Sequence, residues 1–74
     1  MFSELDSVVL VKDLPEHRLA AGDAGTVVLV HDDGAAYEVE FVALDGKTVA
    51  VVTVSADATR PVRSGEIAHA RSMD

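Results

Sequence analysis

Apolar runs of strand length alternate with turn residues along most of the chain. The runs are rich in valine, leucine and other strand formers, and each is too short for a typical helix. We predict strands at residues 5–12, 25–30, 35–43 and 48–54, with a short edge strand at 60–63. Pro61 places the short strand at an edge, because a proline nitrogen cannot donate a hydrogen bond to a ladder.

The third predicted strand carries the clearest pattern. Tyr37, Val39 and Phe41 alternate with Glu38 and Glu40, and a period of two is typical of a strand with one face in water. A register shift of one residue would exchange the two faces. We therefore predict that the three apolar side chains point into the core and that the two glutamates point away from it.

Turn residues define the connections between these strands. Aspartate–glycine pairs at 31–34 and 44–47 favour tight hairpin turns. Residues 13–23 are too many for a hairpin turn and predict a longer loop, and 55–59 predict one short helical turn. Residues 66–73 are interpreted as a last strand, with a frayed helix as the alternative that the alanines leave open.

Together these elements predict one all-β domain over residues 1–74. Five or six short antiparallel strands, a long first loop, two tight hairpins and one helical turn favour a small SH3-like barrel. Closure of the sheet would also remove the exposed strand edges that such a β-rich chain otherwise presents.

Several motifs in order carry a resemblance to a known family. ELD before an apolar strand, DLPEH, AGDAGTVV, YEVEF, and TVAVVT followed by RPV span about residues 4–62. They resemble a family of very short bacterial proteins known only as a domain of unknown function, which implies an SH3-like or translation-factor-like small barrel without an established activity. GDAGTVVLV is also similar to the strand-opening motif of KOW domains, which are usually basic and bind RNA or protein.

The charge of the chain departs from that of KOW domains. The formal net charge is −7, and residues 1–40 hold nine acidic side chains against two basic ones, whereas residues 41–74 hold four of each. Phosphate backbones repel such a surface, so nucleic-acid binding is disfavoured. A basic protein partner would be attracted to it.

The composition also bears on the cellular setting. The chain has no cysteine, which fits a reducing compartment. No apolar stretch approaches the roughly 18 residues that a membrane span needs, and the first residues lack a basic segment of the kind that begins a signal peptide. We expect a cytoplasmic protein with no membrane association.

The candidate chemical motifs favour structural roles. Gly22 and Gly25 flank Asp23 and precede a β-branched run, whereas a phosphate-binding loop would precede a helix and often carry a lysine. His31, Asp32 and Asp33 are consecutive, and consecutive residues rarely converge on one metal ion. We expect no enzymatic activity, cofactor, metal or small-molecule substrate.

The apolar runs at residues 8–11, 27–30 and 49–52 point to an interface, because they lack the alternation with polar residues seen in the third strand. A small barrel has one interior, so half of these side chains should face outward. We expect the outward side chains to bind a protein partner or a second copy of the chain. The exposed loop around residue 17 is a second candidate, because loops often carry binding residues. The predicted partner-binding residues are Val8, Leu10, Glu16, His17, Arg18, Val49 and Val51.

Overall fold

The computed structural model of this protein describes residues 1–73, and almost all of its regular structure is β-strand. The strands are β1 (Ser7–Leu10), β2 (Ala24–His31), β3 (Ala36–Val42), β4 (Thr48–Ser55) and β5 (Thr59–Pro61). The helical residues of the described chain form three 3-10 turns at Pro15–His17, Asp32–Gly34 and Ala56–Ala58. The all-β prediction is confirmed, with five strands and a short helical turn before the last one.

The five strands form one antiparallel sheet in the order β4-β3-β2-β1-β5. Within residues 1–73 no ladder joins β4 to β5, so the two ends of the sheet are connected by the 3-10 turn Ala56–Ala58 and not by strand pairing. The long loop after β1, the two hairpins and this turn occur in the order on which the SH3-like prediction rests.

The alternation in β3 sets the position of the core. Tyr37, Val39 and Phe41 are buried, while Glu38 and Glu40 are partly exposed. The predicted register is therefore confirmed. The cluster of buried side chains draws on β1 to β4, the first loop and the last 3-10 turn: Val8, Leu10, Leu19, Val27, Tyr37, Val39, Phe41, Val52, Val54 and Ala58.

Strand β1 corrects the prediction that each apolar run turns half of its side chains outward. Val8, Val9 and Leu10 are all buried, so Val8 and Leu10 are core residues and present no side chain to a partner. Val8 and Leu10 belong to the core cluster, whereas Val9 is buried outside that cluster. Val9 lies between Ala24 and Arg60 in the two ladders and is only 7% exposed.

The first loop contributes to the core as well as connecting β1 to β2. Leu14 and Leu19 form an isolated antiparallel bridge around the 3-10 turn Pro15–His17. Leu19 is buried and belongs to the core cluster, and Leu14 packs against it. The loop therefore folds back over the sheet, and its exposed tip is the short 3-10 turn.

The C-terminal segment is irregular, so the predicted last strand at 66–73 is wrong, and the helical alternative is not found there either. Side-chain interactions hold this segment in place of a ladder. Arg60 binds both carboxylate oxygens of Glu66 at 2.9 and 2.7 Å. Near the end of the segment, Arg71 binds Asp23, and Met73 packs against the core.

Gly25 lies where β2 makes its closest approach to β3. A Cβ atom at this position would stand 2.5 Å from Val39 Cγ1 and 2.9 Å from the carbonyl oxygen of Glu40. Real Cβ atoms do not approach other atoms this closely, so the packing of these strands requires a residue without a side chain at position 25. Gly22, three residues earlier, has a φ of 96° and turns the chain into β2.

Substitution of Gly25 by Ala should lower the free energy of unfolding by about 1–3 kcal/mol, the usual cost of overpacking a core. Because Val39 Cγ1 is the first atom that the new methyl group would meet, Gly25→Ala combined with Val39→Ala should cost less than the sum of the two single changes. Urea denaturation of the four proteins in this cycle measures the coupling. Strict additivity would contradict the contact.

Leu5 offers a second test of backbone geometry, because it is a bulky residue with a φ of 74° and a side chain that is 79% exposed. Left-handed geometry costs a non-glycine residue about 1–2 kcal/mol. Leu5→Gly should therefore raise the free energy of unfolding by up to about 1 kcal/mol after the entropic cost of glycine is deducted.

Leu44 is the matched control for this change. It is 87% exposed, and its φ is not positive. Leu44→Gly should therefore lower the free energy of unfolding by about 0.5–1 kcal/mol. Thermal melts of both variants compare the two leucines directly, and an equal loss of stability at both positions would refute strain at Leu5.

Candidate interaction groove

A groove lies between the N-terminal segment, the turn from β2 to β3, and the polypeptide from the last 3-10 turn through β5. Its volume is about 780 Å³, within the range of about 300–1,000 Å³ that is common for binding sites. The lining residues come from three segments of the chain, 1–7, 33–37 and 56–62: Met1, Phe2, Asp6, Ser7, Asp33, Gly34, Tyr37, Ala56, Thr59, Pro61 and Val62.

Tyr37 forms the floor of the groove and anchors its N-terminal wall. The backbone N–H of Phe2 donates a hydrogen bond to the Tyr37 hydroxyl at 3.2 Å. The two rings meet edge to face, with centroids 5.3 Å apart and planes inclined by 76°. Such aromatic pairs contribute about 0.5–1.5 kcal/mol beyond the burial of their area. This contact holds residues 1–2 against the sheet.

The turn between β2 and β3 also lines the groove, next to Met1, and has an unusual backbone. Asp32, Asp33 and Gly34 have successive φ angles of 49°, 55° and 102°. Aspartate tolerates this left-handed region better than most residues, but each instance still costs free energy. Met1 packs against Gly34, where a Cβ would stand 2.7 Å from Met1 Cγ. Strained backbone of this kind often accompanies binding sites.

The electrostatic character of the groove is acidic. Asp6 and Asp33 are among its lining residues, and none of the described lining residues is Lys, Arg or His. The carboxylate of Asp6 accepts the Ser3 N–H at 2.8 Å, which fixes its position at the end of the groove. A cationic group placed here would meet two carboxylates beside the partly exposed ring of Phe2.

The residues predicted to bind a partner lie elsewhere. Glu16, His17 and Arg18 are exposed on the loop between β1 and β2. On β4, Val49 is half-buried against the core and Val51 is 54% exposed. None of the seven predicted residues lines the groove, and Val8 and Leu10 are excluded from any surface by their burial.

The groove residues were missed because their sequence signals are weak. The lining residues are scattered over the chain, and Phe2 lies outside every predicted strand. One signal was available, since Asp-Asp-Gly in a tight turn favours left-handed backbone at a surface position. It marks the rim at Asp33, but it does not show that Phe2 and Pro61 lie nearby.

Residues 4–61 match the family model described as "Domain of unknown function (DUF4926)". The chain belongs to this family. The match covers all five strands and ends at the last residue of β5, which confirms the resemblance seen in the sequence motifs. The chain has no significant match among curated proteins or among solved structures.

The DUF4926 segment supplies most of the groove but not all of it. Met1, Phe2 and Val62 lie outside the matched residues. The C-terminal segment that carries Arg71 also lies outside them. In this DUF4926 protein, sequence beyond the family segment therefore completes the N-terminal wall and adds contacts to the strand-opening bend.

The Gly22–Gly25 bend is confirmed as a structural element that opens β2. Asp23 accepts the Ala20 N–H at 2.8 Å and binds Arg71, whose Nε lies 2.9 Å from Asp23 Oδ1. Arg71 also donates to the Arg18 carbonyl oxygen at 3.1 Å. The bend is therefore tied to both the first loop and the C-terminal segment.

The His31-Asp32-Asp33 motif does not form a cluster of metal ligands. His31 Nε2 lies 2.6 Å from Glu38 Oε2 across the hairpin, and Thr53 donates to the same carboxylate at 2.8 Å. The hydrogen bond with His31 is the main reason that the pKa of Glu38 is lowered. Within residues 1–73, no group of three His, Asp or Glu side chains is placed to hold a metal ion.

No helix within residues 1–73 combines the length and the apolar character that crossing a bilayer would require.

The pairing of Asp23 with Arg71 predicts an effect of pH. The hydrogen bond from Arg71 is the main reason that the pKa of Asp23 lies below its ordinary value of 3.8. A lowered folded-state pKa stabilises the fold above the unfolded value, and this contribution is lost as the pH falls through the folded value. Arg71→Gln should therefore raise the pKa of Asp23, as measured by NMR titration of its carboxyl carbon.

The stability difference between the wild type and Arg71→Gln should also shrink as the pH falls below about 4, where carboxylates protonate. Arg63→Gln is the matched control, because it removes the same charge from the same segment and leaves the contacts of Asp23 intact. An equal shift of the Asp23 titration in both variants would contradict a specific pair.

Proposed function

We propose that this DUF4926 protein is a non-enzymatic interaction module that binds a basic segment of a partner protein in the groove. The observation that carries the proposal is the groove lining, in which the carboxylates of Asp6 and Asp33 accompany the partly exposed ring of Phe2, and no described lining side chain is Lys, Arg or His. Carboxylates attract lysine and arginine, and the exposed part of the Phe2 ring adds a cation–π contact. Such a module would serve as an accessory or antitoxin-like partner of a basic protein.

The distribution of charge supports the same partner. The net charge of −7 speeds the encounter with a basic protein and slows that with an acidic one. Among residues 1–73, the ion pairs engage Asp23, Glu38, Asp57 and Glu66, and neither Asp6 nor Asp33 belongs to one. These two carboxylates therefore retain their attraction for a cation from outside the chain.

A second candidate function is a self-associating structural role. It is favoured by the exposed side chains of Leu29, Val42 and Val51 on the outer face of the sheet. Leu29 stands opposite Glu38, and Val51 stands opposite Glu40, so this face mixes apolar and acidic groups. A KOW-like role in nucleic-acid binding is opposed by the net charge.

A peptide titration tests the groove. The probe is a ten-residue peptide of alternating arginine and leucine, and its glutamate–leucine counterpart is the negative control. Binding of the basic peptide should shift the NMR signals of Phe2, Tyr37 and Val62. Asp6→Asn combined with Asp33→Asn should weaken this binding by about tenfold or more, because charge-assisted hydrogen bonds contribute about 1.5–3 kcal/mol each.

These substitutions preserve the fold. Asparagine can still accept the Ser3 N–H at position 6, and it tolerates the left-handed backbone at position 33.

The control variant separates the groove from general acidity. Glu16→Gln with Asp45→Asn removes the same two charges from exposed positions outside the groove. Its affinity should stay within about twofold of the wild type at 0.15 M salt, where distant surface charges are screened. Equal losses of affinity in both double variants would show non-specific attraction. A loss of affinity confined to the control would place the site at the loops that carry Glu16 and Asp45.

A further inference from the structure

Strand β4 is an end strand whose outer edge carries no ladder within residues 1–73. It pairs with β3 alone. The backbone hydrogen bonds made by the described turns and loops do not involve residues 48–55. Alternate N–H and C=O groups along an eight-residue strand therefore point away from the sheet.

The sequence of β4 lacks the features that usually prevent pairing at an edge. Its residues are TVAVVTVS, with no charged residue, proline or glycine. Six of the eight are valine or threonine, which favour strand pairing. The opposite edge differs, because β5 has only three residues and includes Arg60 and Pro61. One edge of this sheet is thus blocked and the other is open.

Charge favours a second copy of this chain as the occupant of the open edge. Two copies carry −7 each, but no like charges would face each other along β4 itself. Lys47 precedes the strand and Asp57 follows it. Asp57 lies in the 3-10 turn after β4, where its exposed carboxylate is 3.7 Å from Lys12 of its own chain. Antiparallel pairing brings the start of one strand beside the end of the other, so Lys47 would add a second cation near Asp57 of the other copy at both ends.

We propose that two copies pair antiparallel along β4 and form a continuous ten-stranded sheet. Residues opposite each other in an antiparallel pair share a face, so the two-fold axis must pass through a residue pair. An axis at Val52 places Val51 opposite Thr53 on the outer face and Ala50 opposite Val54 on the inner face. The same register brings Lys47 towards the 3-10 turn that carries Asp57 of the second copy.

The blocked edge explains why association stops at two. An isologous contact uses the same surface on both copies and therefore closes. The remaining free edges of the dimer are the two β5 strands, where Pro61 cannot donate to a further ladder. The dimer leaves both grooves in place, so this inference does not rest on the proposed function of the groove.

Light scattering and sedimentation test the proposal. The protein is measured at about 10–500 μM, concentrations at which weak dimers form. The wild type should reach twice its monomer mass of 7.8 kDa. Val51→Lys should raise the dimer dissociation constant by about tenfold or more, because it adds two lysines beside the two-fold axis. A wild type that is monomeric throughout this range overturns the proposal.

Val42→Lys is the matched control. Val42 is 46% exposed against 54% for Val51, but it lies on β3, which has neighbours on both sides. This variant should dimerise as the wild type does. A dimer that survives Val51→Lys, or that is lost equally in both folded variants, overturns the assignment to β4. Circular dichroism confirms that each variant is folded.

Two further measurements locate the contact. Amide hydrogen exchange in β4 should slow as the concentration rises, whereas exchange in β5 should not change. In a Lys12→Gln background, which removes the intrachain partner of Asp57, Lys47→Glu should weaken the dimer, and Lys47→Glu with Asp57→Lys should restore it by re-forming the opposite charges. Asp6→Asn with Asp33→Asn should leave dimerisation unchanged, so failure of the groove and failure of this interface give different results.

Discussion

The burial of Tyr37 is the interaction on which both the core and the groove depend. It is the largest fully buried side chain in residues 1–73, and its hydroxyl requires a hydrogen-bond partner, because an unsatisfied buried polar group costs about 1–3 kcal/mol. The backbone N–H of Phe2 supplies that partner. The alternation that buries Tyr37 therefore also fixes the N-terminal wall and creates the concave surface beside it.

The two end strands of the sheet, β5 and β4, differ in how their outer edges are protected from further pairing. At β5, a short strand with Arg60 and Pro61 prevents further pairing, and Glu66 binds Arg60 to hold the following segment nearby. At β4, neither charge nor proline protects a strand more than twice as long. Small β-proteins usually protect both edges or close the sheet, so β4 is the end of this sheet that lacks the usual protection.

The sequence predicted the fold well where a pattern depends on local periodicity. The alternation in β3 gave the correct register, and the aspartate–glycine pair before Lys47 gave the correct hairpin turn. The predictions failed where burial depends on distant neighbours. Val8 and Leu10 lie on the face of β1 that packs into the core, and an unbroken apolar run does not show which face that is. Residues 66–73 are held by the Arg71–Asp23 pair instead of a ladder. The groove assembles separate segments, which no local pattern reports.

The acidic residues of this DUF4926 protein differ in whether they form an ion pair within the chain. Asp23, Asp57 and Glu66 each bind a cationic side chain from their own chain, so their charges are largely compensated within the domain. Asp6 and Asp33 have no such pair in the described residues and lie together at the groove. Two uncompensated carboxylates thus lie at the groove, whereas β4 itself carries no charged residue. The proposed basic partner and the proposed second copy would therefore use different surfaces.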